Sequence, residues 1–353
     1  MDWSDRLREA AKEINKAVKY DVAIAGADNN WSDVADRVIP TTSKMLNLLL
    51  GGGCPLGRIA EIYGDPSTGK STLASHIMIG FQQAGGISVL LDAETSWKRD
   101  RALRMGHDPD RHLHLQADTV ELGFQTLFET LDRLRAPGRF PTDMPIVFVW
   151  DTISASQTEG EKANNRYQDG IADKPRKVRE GCRRITSRIA QSNASLVFIS
   201  QTITQIKTGG FGGGPKKLSA SGGDAIKFFA SKRIKTWHIQ RFNYPSTNSG
   251  ILIGASNIKD KMEAPNRRVD MPITYSHGVD YGYEMLLFMI DNTPHASLYG
   301  GKVHVVDYPE PGEELVFYQK KLNDVLEQYP DLLEHMEACV DEAWDSGVDM
   351  TED

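Results

Sequence analysis

Cysteine is scarce in this chain of 353 residues, and its three cysteines lie far apart and form no C-x-x-C pair. Long hydrophobic runs are also missing, since no apolar stretch approaches the roughly 18 residues of a membrane-spanning helix. The amino terminus lacks the basic-then-apolar pattern of a secretion signal. These absences argue against a disulfide framework, a cysteine-rich zinc site and a membrane span, and they predict a protein of the reducing cytoplasm.

Positive charge is in deficit, with a net charge of −7, but the charges are unevenly distributed. Residues 331–353 hold nine acidic residues and no lysine or arginine, whereas residues 176–188 hold six basic residues and one acidic residue. The net charge argues against a simple basic coat on nucleic acid. A local basic patch can nevertheless bind nucleic acid on an acidic protein.

A complete phosphate-loop pattern, G-x-x-x-x-G-K-S, follows the apolar run of residues 58–63 and precedes a helical pattern over 71–84. A strand, a glycine loop and a helix in this order form an anion site, because backbone N–H groups and the positive helix end face the phosphates. The pattern predicts that Lys70 reaches the β- and γ-phosphates and that the Ser71 hydroxyl binds Mg²⁺. The predicted nucleotide-binding residues here are Gly64, Asp65, Pro66, Ser67, Thr68, Gly69, Lys70, Ser71 and Thr72.

Strand-like and helical stretches alternate after the phosphate loop. The apolar strands are 87–91, 145–151 and 195–201, and the helical patterns are 119–135 and 175–192. This alternation predicts an α/β fold with a doubly wound, mostly parallel sheet. Antiparallel additions to the sheet are predicted at 233–243, 250–258 and 268–275.

Polar residues stand at or just beyond the ends of three of these strands. Asp151 ends one strand, where a carboxylate is placed to bind Mg²⁺ or its water shell. Glu94 follows another and is placed to activate the attacking water, although Asp92 competes for that role and a solvated loop acid is the alternative. Gln201 ends the third, where its amide either caps the strand or couples the γ-phosphate to the loop that follows.

Two loops have compositions that suit contacts with single-stranded nucleic acid. The loop after Gln201 combines glycines, one aromatic residue and several cations, although a flexible linker has a similar composition. A second polar loop covers 159–173. The predicted contacts in the two loops are Arg166, Lys207, Phe211, Lys216 and Lys217.

Lys259 and Lys261 flank Asp260, and alternate residues of a strand point the same way. Both cations are therefore placed to reach one phosphate, on a neighbouring subunit. The alternative is an ordinary solvated charge pair.

The order of these motifs resembles the RecA family of DNA strand-exchange recombinases, including phage relatives such as UvsX. The resemblance covers about residues 40–285, and a phosphate loop alone would be far less specific than its last two segments. The segments that carry it are 57–64, 92–94, 116–119, 221–231 and 259–265.

The resemblance implies a RecA-type P-loop ATPase that polymerises on single-stranded DNA with ATP and Mg²⁺, pairs it with homologous duplex DNA and exchanges strands. By position it implies that Glu94 is the catalytic glutamate and that Gln201 senses the nucleotide. It also implies that Lys259 and Lys261 reach the ATP of the neighbouring subunit in a helical filament. Further implied DNA contacts are Arg176, Arg183, Gly222 and Gly223, and implied interface residues are Lys227, Phe228 and Arg233.

The resemblance also implies four regions along the chain. They are a polymerisation arm at 1–38, an ATPase core at 39–276 with DNA loops near 159–173 and 202–221, a small α+β domain at 277–345 and an acidic, autoinhibitory tail at 346–353. Single-stranded DNA-binding protein and mediator proteins are implied partners.

The chain departs from the family pattern at the residue that would contact the adenine base and at its two ends. Arg101 occupies the position where bacterial members stack an aromatic ring on adenine. The divergent ends indicate a phage or mobile-element member, located in the cytoplasm of a bacterial host or phage-infected cell. Two alternatives share the core: a ring-forming ATPase or helicase, recognised by closed rings, and a recombinase-regulating paralogue, recognised by failure of strand exchange.

Overall fold

The computed structural model of the chain describes residues 2–19, 37–163, 173–205, 217–220, 223–242, 249–262 and 264–346. Of residues 203–205, 217–220 and 223–224 it describes the backbone alone. The chain divides into two compact units, Met1–Arg37 and Val38–Asp353. Residues 20–36 of the predicted polymerisation arm lie outside the described residues.

The first unit contains one described helix, α1, at Trp3–Val18. Asp2 caps its start by accepting a hydrogen bond from the backbone N–H of Trp3. None of its residues is buried, and its exposed apolar side chains recur at helical spacing, at Trp3, Leu7, Ile14 and Val18. The helix is therefore amphipathic without an apolar partner among the described residues of its own unit.

The second unit alternates strands and helices. Its described α-helices are α2 Lys44–Leu50, α3 Lys70–Gln83, α4 Arg99–Arg104, α5 Val120–Leu134, α6 Glu159–Ala163, α7 Asp173–Gln191, α8 Gly223–Phe229, α9 Tyr281–Asn292, α10 Leu322–Gln328 and α11 Leu332–Asp345. Its described strands are β1 Val38–Ile39, β2 Cys54–Pro55, β3 Ile59–Gly64, β4 Ile87–Asp92, β5 His112–Leu115, β6 Ile146–Asp151, β7 Ala194–Gln205, β8 Lys217–Ala220, β9 Lys232–Phe242, β10 Gly250–Asp260, β11 Arg268–Thr274, β12 Gly278–Val279, β13 Ala296–Tyr299, β14 Lys302–Val306 and β15 Glu314–Tyr318.

The described strands of this unit include a ten-stranded sheet in the order β12-β11-β10-β9-β3-β7-β6-β4-β5, with β8 paired to β7. The pairs among β3, β4, β5, β6 and β7, and the pair β3–β9, are parallel. The strands β10, β11 and β12 add antiparallel beyond β9. The predicted α/β class, the parallel centre and the antiparallel additions are confirmed.

Apolar residues alternate between the two faces of the sheet, and each face has its own core. Leu196 and Phe198 of β7 belong to the cluster that packs with α5 and α7, whereas Val197 and Ile199 belong to the cluster with α2 and α3. A sheet covered on both faces explains why the central strands are apolar throughout.

The C-terminal helices α9 and α11 and the small sheet β13-β14-β15 share the core that contains α3. The strand β12 pairs with β11, so the main sheet extends to Val279. The boundary at 277 between an ATPase core and a separate small domain stays a prediction. Among the described residues, no helix is both long enough and apolar enough to cross a membrane.

Candidate nucleotide site and DNA interface

Four parallel strands bring the predicted catalytic residues to one edge of the sheet. Gly64 at the end of β3 pairs in register with Gln201 in β7, and Asp92 at the end of β4 pairs with Asp151 at the end of β6. Residues far apart in sequence are therefore level with one another. The carboxyl edge of a doubly wound sheet is where such folds bind their ligands.

The phosphate loop requires glycine at both of its fixed glycine positions. A Cβ on Gly64 would overlap the carbonyl oxygen of Thr236, and Gly69 has a φ of +78° at the start of α3. The Thr68 hydroxyl bonds to the Thr236 hydroxyl at 2.7 Å, which ties the loop to β9. The loop is held as a rigid turn at a helix N-terminus, the arrangement that binds phosphate.

Lys70, Ser71 and Asp151 converge beneath this loop. The Lys70 ammonium is buried and donates to the Asp65 carbonyl oxygen at 2.6 Å, and burial lowers its pKa against the opposing effect of Asp151 and Glu94. A phosphate would give this ammonium a stronger acceptor than a neutral carbonyl.

Asp151 has the character of a cation ligand. Its pKa is raised to about 6, chiefly by burial, with a hydrogen bond from Ser71 opposing the shift and Glu94 and Asp92 adding to it. Its buried Oδ1 has no hydrogen-bond partner among the described residues. A buried, partnerless carboxylate oxygen beside a serine hydroxyl fits Mg²⁺, which prefers oxygen ligands.

Glu94 and Asp92 have different surroundings, and these separate the two candidates for activating water. Asp92 is buried and accepts hydrogen bonds from the backbone N–H groups of Ser96 at 3.2 Å and Trp97 at 3.1 Å. Glu94 is exposed at the mouth of the site, and its Oε1 accepts from the Thr152 hydroxyl at 2.7 Å. The geometry favours Glu94, with Asp92 shaping the loop that carries it.

Gln201 contacts Glu94 directly. Its side-chain amide donates to Glu94 Oε1 at 3.1 Å, and its backbone N–H donates to the Ser154 hydroxyl at 2.9 Å. The strand β7 then continues through Gln205 and forms a hairpin with β8, in which Thr202 pairs with Ala220. One continuous strand therefore links the candidate base to the stem of the second predicted DNA loop.

Arg101 lies against the phosphate-loop helix. Its guanidinium donates to the Thr72 hydroxyl at 2.9 Å and to the carbonyl oxygen of Tyr275 at 3.1 Å. Tyr275 is 54% exposed, so its aromatic side chain is accessible near this part of the site. Sequence reasoning missed Tyr275, because only the sheet register brings the residue after β11 next to α4.

The two predicted interface lysines flank a buried ion pair. Asp260 is paired with Lys232 at 2.7 Å, and both side chains are almost fully buried. Lys259 donates to the carbonyl oxygens of Lys227 at 2.6 Å and Phe228 at 3.2 Å, at the end of α8. The pKa of Lys259 falls to about 8, first through burial and then through Lys261 and other nearby cations. Asp260 thus anchors the end of β10, while Lys259 and Lys261 on either side of it lie nearer the surface.

Arg233 is held inside its own subunit. It is 7% exposed, donates to Glu61 at 2.5 Å and stacks over Tyr63 at 4.5 Å. Phe228, by contrast, is 73% exposed. The predicted interface role fits Phe228 and Lys227 as surface residues, whereas Arg233 supports the adjoining strand from within; its role between subunits stays a prediction.

The arginines of α7 divide into two groups. Arg176 and Arg183 are exposed, and Arg176 pairs with Asp173 at 2.9 Å. Arg184 and Arg188 stack on Phe128 of α5, at 4.8 Å and 5.1 Å from the ring centre. The first group is available to a ligand, and the second holds two helices together.

Several predicted DNA contacts cannot be placed. Outside the described residues lie Arg166, Lys207, Phe211, Lys216 and Gly222. Lys217 and Gly223 are described by their backbones, Lys217 as the first residue of β8 and Gly223 as the first of α8. The hairpin and α8 therefore bracket the second loop, as a binding loop on a rigid scaffold would require.

Sequence reasoning also missed His76, a buried residue of the helix that follows the phosphate loop. His76 of α3 contacts the Thr42 hydroxyl at 2.5 Å and accepts from the Val279 N–H at 2.9 Å, and burial lowers its pKa to about 4. An imidazole beside the apolar run Ile77-Met78-Ile79 was the available signal, because a buried polar side chain needs hydrogen-bond partners.

Comparisons with known proteins agree with this geometry. The family model described as the RecA N-terminal domain matches residues 5–280. The chain is 33% identical over 279 residues to Protein RecA of Paenarthrobacter aurescens strain TC1, covering 79% of this chain and 76% of that protein. It is 31% identical over 342 residues to Protein RecA of Helicobacter pylori strain HPAG1, covering 97% and 91%. The chain belongs to the RecA family of recombinases, whose members bind ATP and DNA in recombination and repair.

Proposed function

We propose that this protein is an ATP-dependent homologous recombinase that forms helical filaments on single-stranded DNA and exchanges strands with homologous duplex DNA. The observation that carries the proposal is the bond between Gln201 and Glu94, because Gln201 lies in the strand that continues into the second loop. A nucleotide site and a DNA loop joined in this way suit hydrolysis that responds to DNA.

The residues of one subunit would bind Mg·ATP as follows. The phosphate loop and the N-terminus of α3 enclose the β- and γ-phosphates, and Lys70 exchanges the Asp65 carbonyl for a phosphate oxygen. Ser71 and Asp151 would hold Mg²⁺, which neutralises phosphate charge when bound. Arg101 would face the base.

Glu94 would accept a proton from the attacking water, since its carboxylate lies exposed beside the site. Gln201 and Thr152 hold one of its oxygens, Oε1, and leave Oε2 available to water. An ordered second loop would fix Gln201, and a disordered one would release it. DNA binding would therefore raise the rate through the position of Gln201 and Glu94.

The proposed filament interface combines a cationic and an apolar part. Lys259 and Lys261 would neutralise charge on the γ-phosphate of the neighbouring subunit. Phe228 and the apolar side of α1 would bury their exposed surface against the next subunit. Phe228 and Lys261 are exposed within the second unit, and the apolar residues of α1 have no partner within the described part of the first unit, which favours a repeating assembly of the same chain.

The DNA surface would comprise the exposed arginines of α7 and the two loops. Arg176 and Arg183 supply charge for phosphates, and the second loop supplies an aromatic ring and lysines for a single strand. The acidic end of the chain would compete with DNA for this surface. A cytoplasmic location, phage or mobile-element origin, and single-stranded DNA-binding and mediator proteins as partners remain predictions.

Strand exchange between circular single-stranded DNA and homologous linear duplex DNA tests the proposal. We expect joint molecules that require ATP and homology and that a Lys70→Ala variant does not form. ATP and DNA binding without joint molecules would favour a recombinase-regulating paralogue. Closed rings with duplex unwinding would favour a helicase.

A further inference from the structure

A second contact joins the stem of the DNA loop to the phosphate loop. The hydroxyl of Thr202 donates a hydrogen bond to the carboxylate of Asp65. Thr202 is the first residue after Gln201 and pairs with Ala220 in the β7–β8 hairpin. Asp65 is the first residue after β3, inside the phosphate loop.

Thr202 and Gln201 bond to opposite sides of β7. In the sheet, β7 lies between β3 and β6, so Thr202 contacts the phosphate loop that follows β3 on one flank, and Gln201 contacts Glu94, which follows β4 beyond β6, on the other. The hairpin therefore contacts both halves of the ATP site. A twist of the stem would displace the two contacts together.

Asp65 is also the point at which the phosphate loop contacts its own lysine. Its carbonyl oxygen accepts from the Lys70 ammonium at 2.6 Å and from the Thr68 hydroxyl at 2.8 Å. A force on the Asp65 side chain thus acts on the backbone that sets the position of Lys70. Among the described residues, Thr202 supplies the side-chain hydrogen bond to the Asp65 carboxylate.

We propose that Thr202 and Asp65 are a positioning pair that transmits the order of the second DNA loop to the phosphate loop, so that single-stranded DNA raises the turnover of ATP. The proposal rests on the proposed function, because it presupposes DNA-stimulated hydrolysis. It adds a route through the phosphate loop to the route through Gln201 and Glu94. Thr202 acts through Asp65 and touches no reacting atom.

The test measures kcat and KM for ATP with and without oligo(dT), in the full-length protein. Thr202→Val removes the donor at nearly constant volume, and Thr202→Ser is the matched control that keeps it. We expect the ratio of DNA-stimulated to basal kcat to fall about tenfold in Thr202→Val, since that is the scale of one hydrogen bond to a charged group. Thr202→Ser should retain the wild-type ratio.

A double-mutant cycle with Asp65→Ala tests whether the two residues act as one unit. The double variant should lose no more stimulation than either single variant, because either change already removes the bond. Asp65→Asn, which keeps a side-chain oxygen as acceptor, should lose less than Asp65→Ala. Additive losses would contradict the pairing.

The outcomes separate this proposal from the proposed function. A wild-type protein indifferent to oligo(dT) would overturn both. A stimulated wild type with an equal ratio in Thr202→Val would overturn only the positioning pair. A parallel drop of basal and stimulated rates, with the ratio unchanged, would also overturn it, because that is the effect of a purely structural contact.

Discussion

Lys70 and Glu94, which we propose act on phosphate and on water, differ in their burial and in their hydrogen-bond partners. Lys70 is buried and carries a lowered pKa through burial, yet Asp151, Glu94 and Asp65 lie near enough to oppose that shift. Glu94 is exposed and is held at one oxygen by neutral donors. In the proposed function, the Lys70 ammonium binds phosphate beneath the loop, and the Glu94 carboxylate accepts a proton from water at the mouth of the site.

A Lys70→Ala change should lower ATP turnover about 100-fold or more, because it removes the buried ammonium that donates into the phosphate loop. Steady-state hydrolysis with saturating single-stranded DNA measures the effect. Lys320→Ala, an exposed lysine near Tyr318, is the matched control and should hydrolyse ATP like wild type. Equal turnover in Lys70→Ala and wild type would refute the site assignment.

A Glu94→Gln change should lower turnover about 100-fold while filaments still form on DNA, since the amide preserves shape but cannot accept the proton. Hydrolysis and negative-stain images of one preparation measure both properties. Glu129→Gln, which alters an exposed carboxylate of α5, serves as the control. A folded Glu94→Gln protein that fails to bind DNA would assign this residue a different role.

Among the strands, β9 and β10 are joined by a buried charge pair at the strand end that carries the predicted interface lysines. Lys232 and Asp260 are opposite each other in register and 2.7 Å apart. The next residue of β9, Arg233, forms a second buried pair with Glu61 of β3. The two pairs attach β9 and β10 to β3, the strand that leads into the phosphate loop.

Removing one partner of the Lys232–Asp260 pair should destabilise the fold by about 3–5 kcal/mol, because the remaining buried charge loses the opposite charge that faces it. Lys232→Met or Asp260→Asn alone should therefore lower the urea midpoint markedly, and the double variant should recover most of the loss. Lys321→Ala is the control, since its partner Asp324 is 66% exposed and such surface pairs contribute about 0–1 kcal/mol. A double variant as unstable as the worse single variant would show that the pair is not the cause.

Sequence patterns predicted the elements better than their tertiary partners. The phosphate loop is contiguous, so its residue types and flanking strand and helix define it locally. The apolar runs ending at Asp151 and Gln201 placed both residues at one sheet edge, which the register confirms. Pairs such as Glu61–Arg233, 172 residues apart, depend on which strands become neighbours, and no local pattern encodes that.

Across the whole second unit, a buried acid joins the C-terminal helix α9 to α2, near the start of that unit. Glu284 of α9 accepts from the Ser43 hydroxyl at 2.8 Å and from the Lys44 N–H at 2.6 Å, at the start of α2. Burial raises its pKa to about 8, against the opposing effect of these hydrogen bonds. The change from a sheet to a small α+β pattern near 277 gave no sign of this attachment.

A Glu284→Gln variant should be less pH-sensitive than wild type. The pKa of Glu284 rises from an ordinary 4.5 to about 8 on folding, so its stabilising effect is complete below 4.5 and is lost as pH rises through about 8. Glutamine resembles the protonated acid and does not titrate. Urea midpoints measured across this pH range test the difference, with the exposed Glu342→Gln change as control. If the urea midpoint of Glu284→Gln changed with pH as steeply as that of wild type, the assignment would be contradicted.

In the proposed function, the order of the second DNA loop and ATP hydrolysis are coupled through the strand that carries Gln201. The most direct measurement is ATP hydrolysis by the full-length protein with and without single-stranded DNA, with negative-stain images of the same samples. We expect strong stimulation by DNA together with helical filaments. Hydrolysis indifferent to DNA, or closed rings in place of filaments, would contradict it.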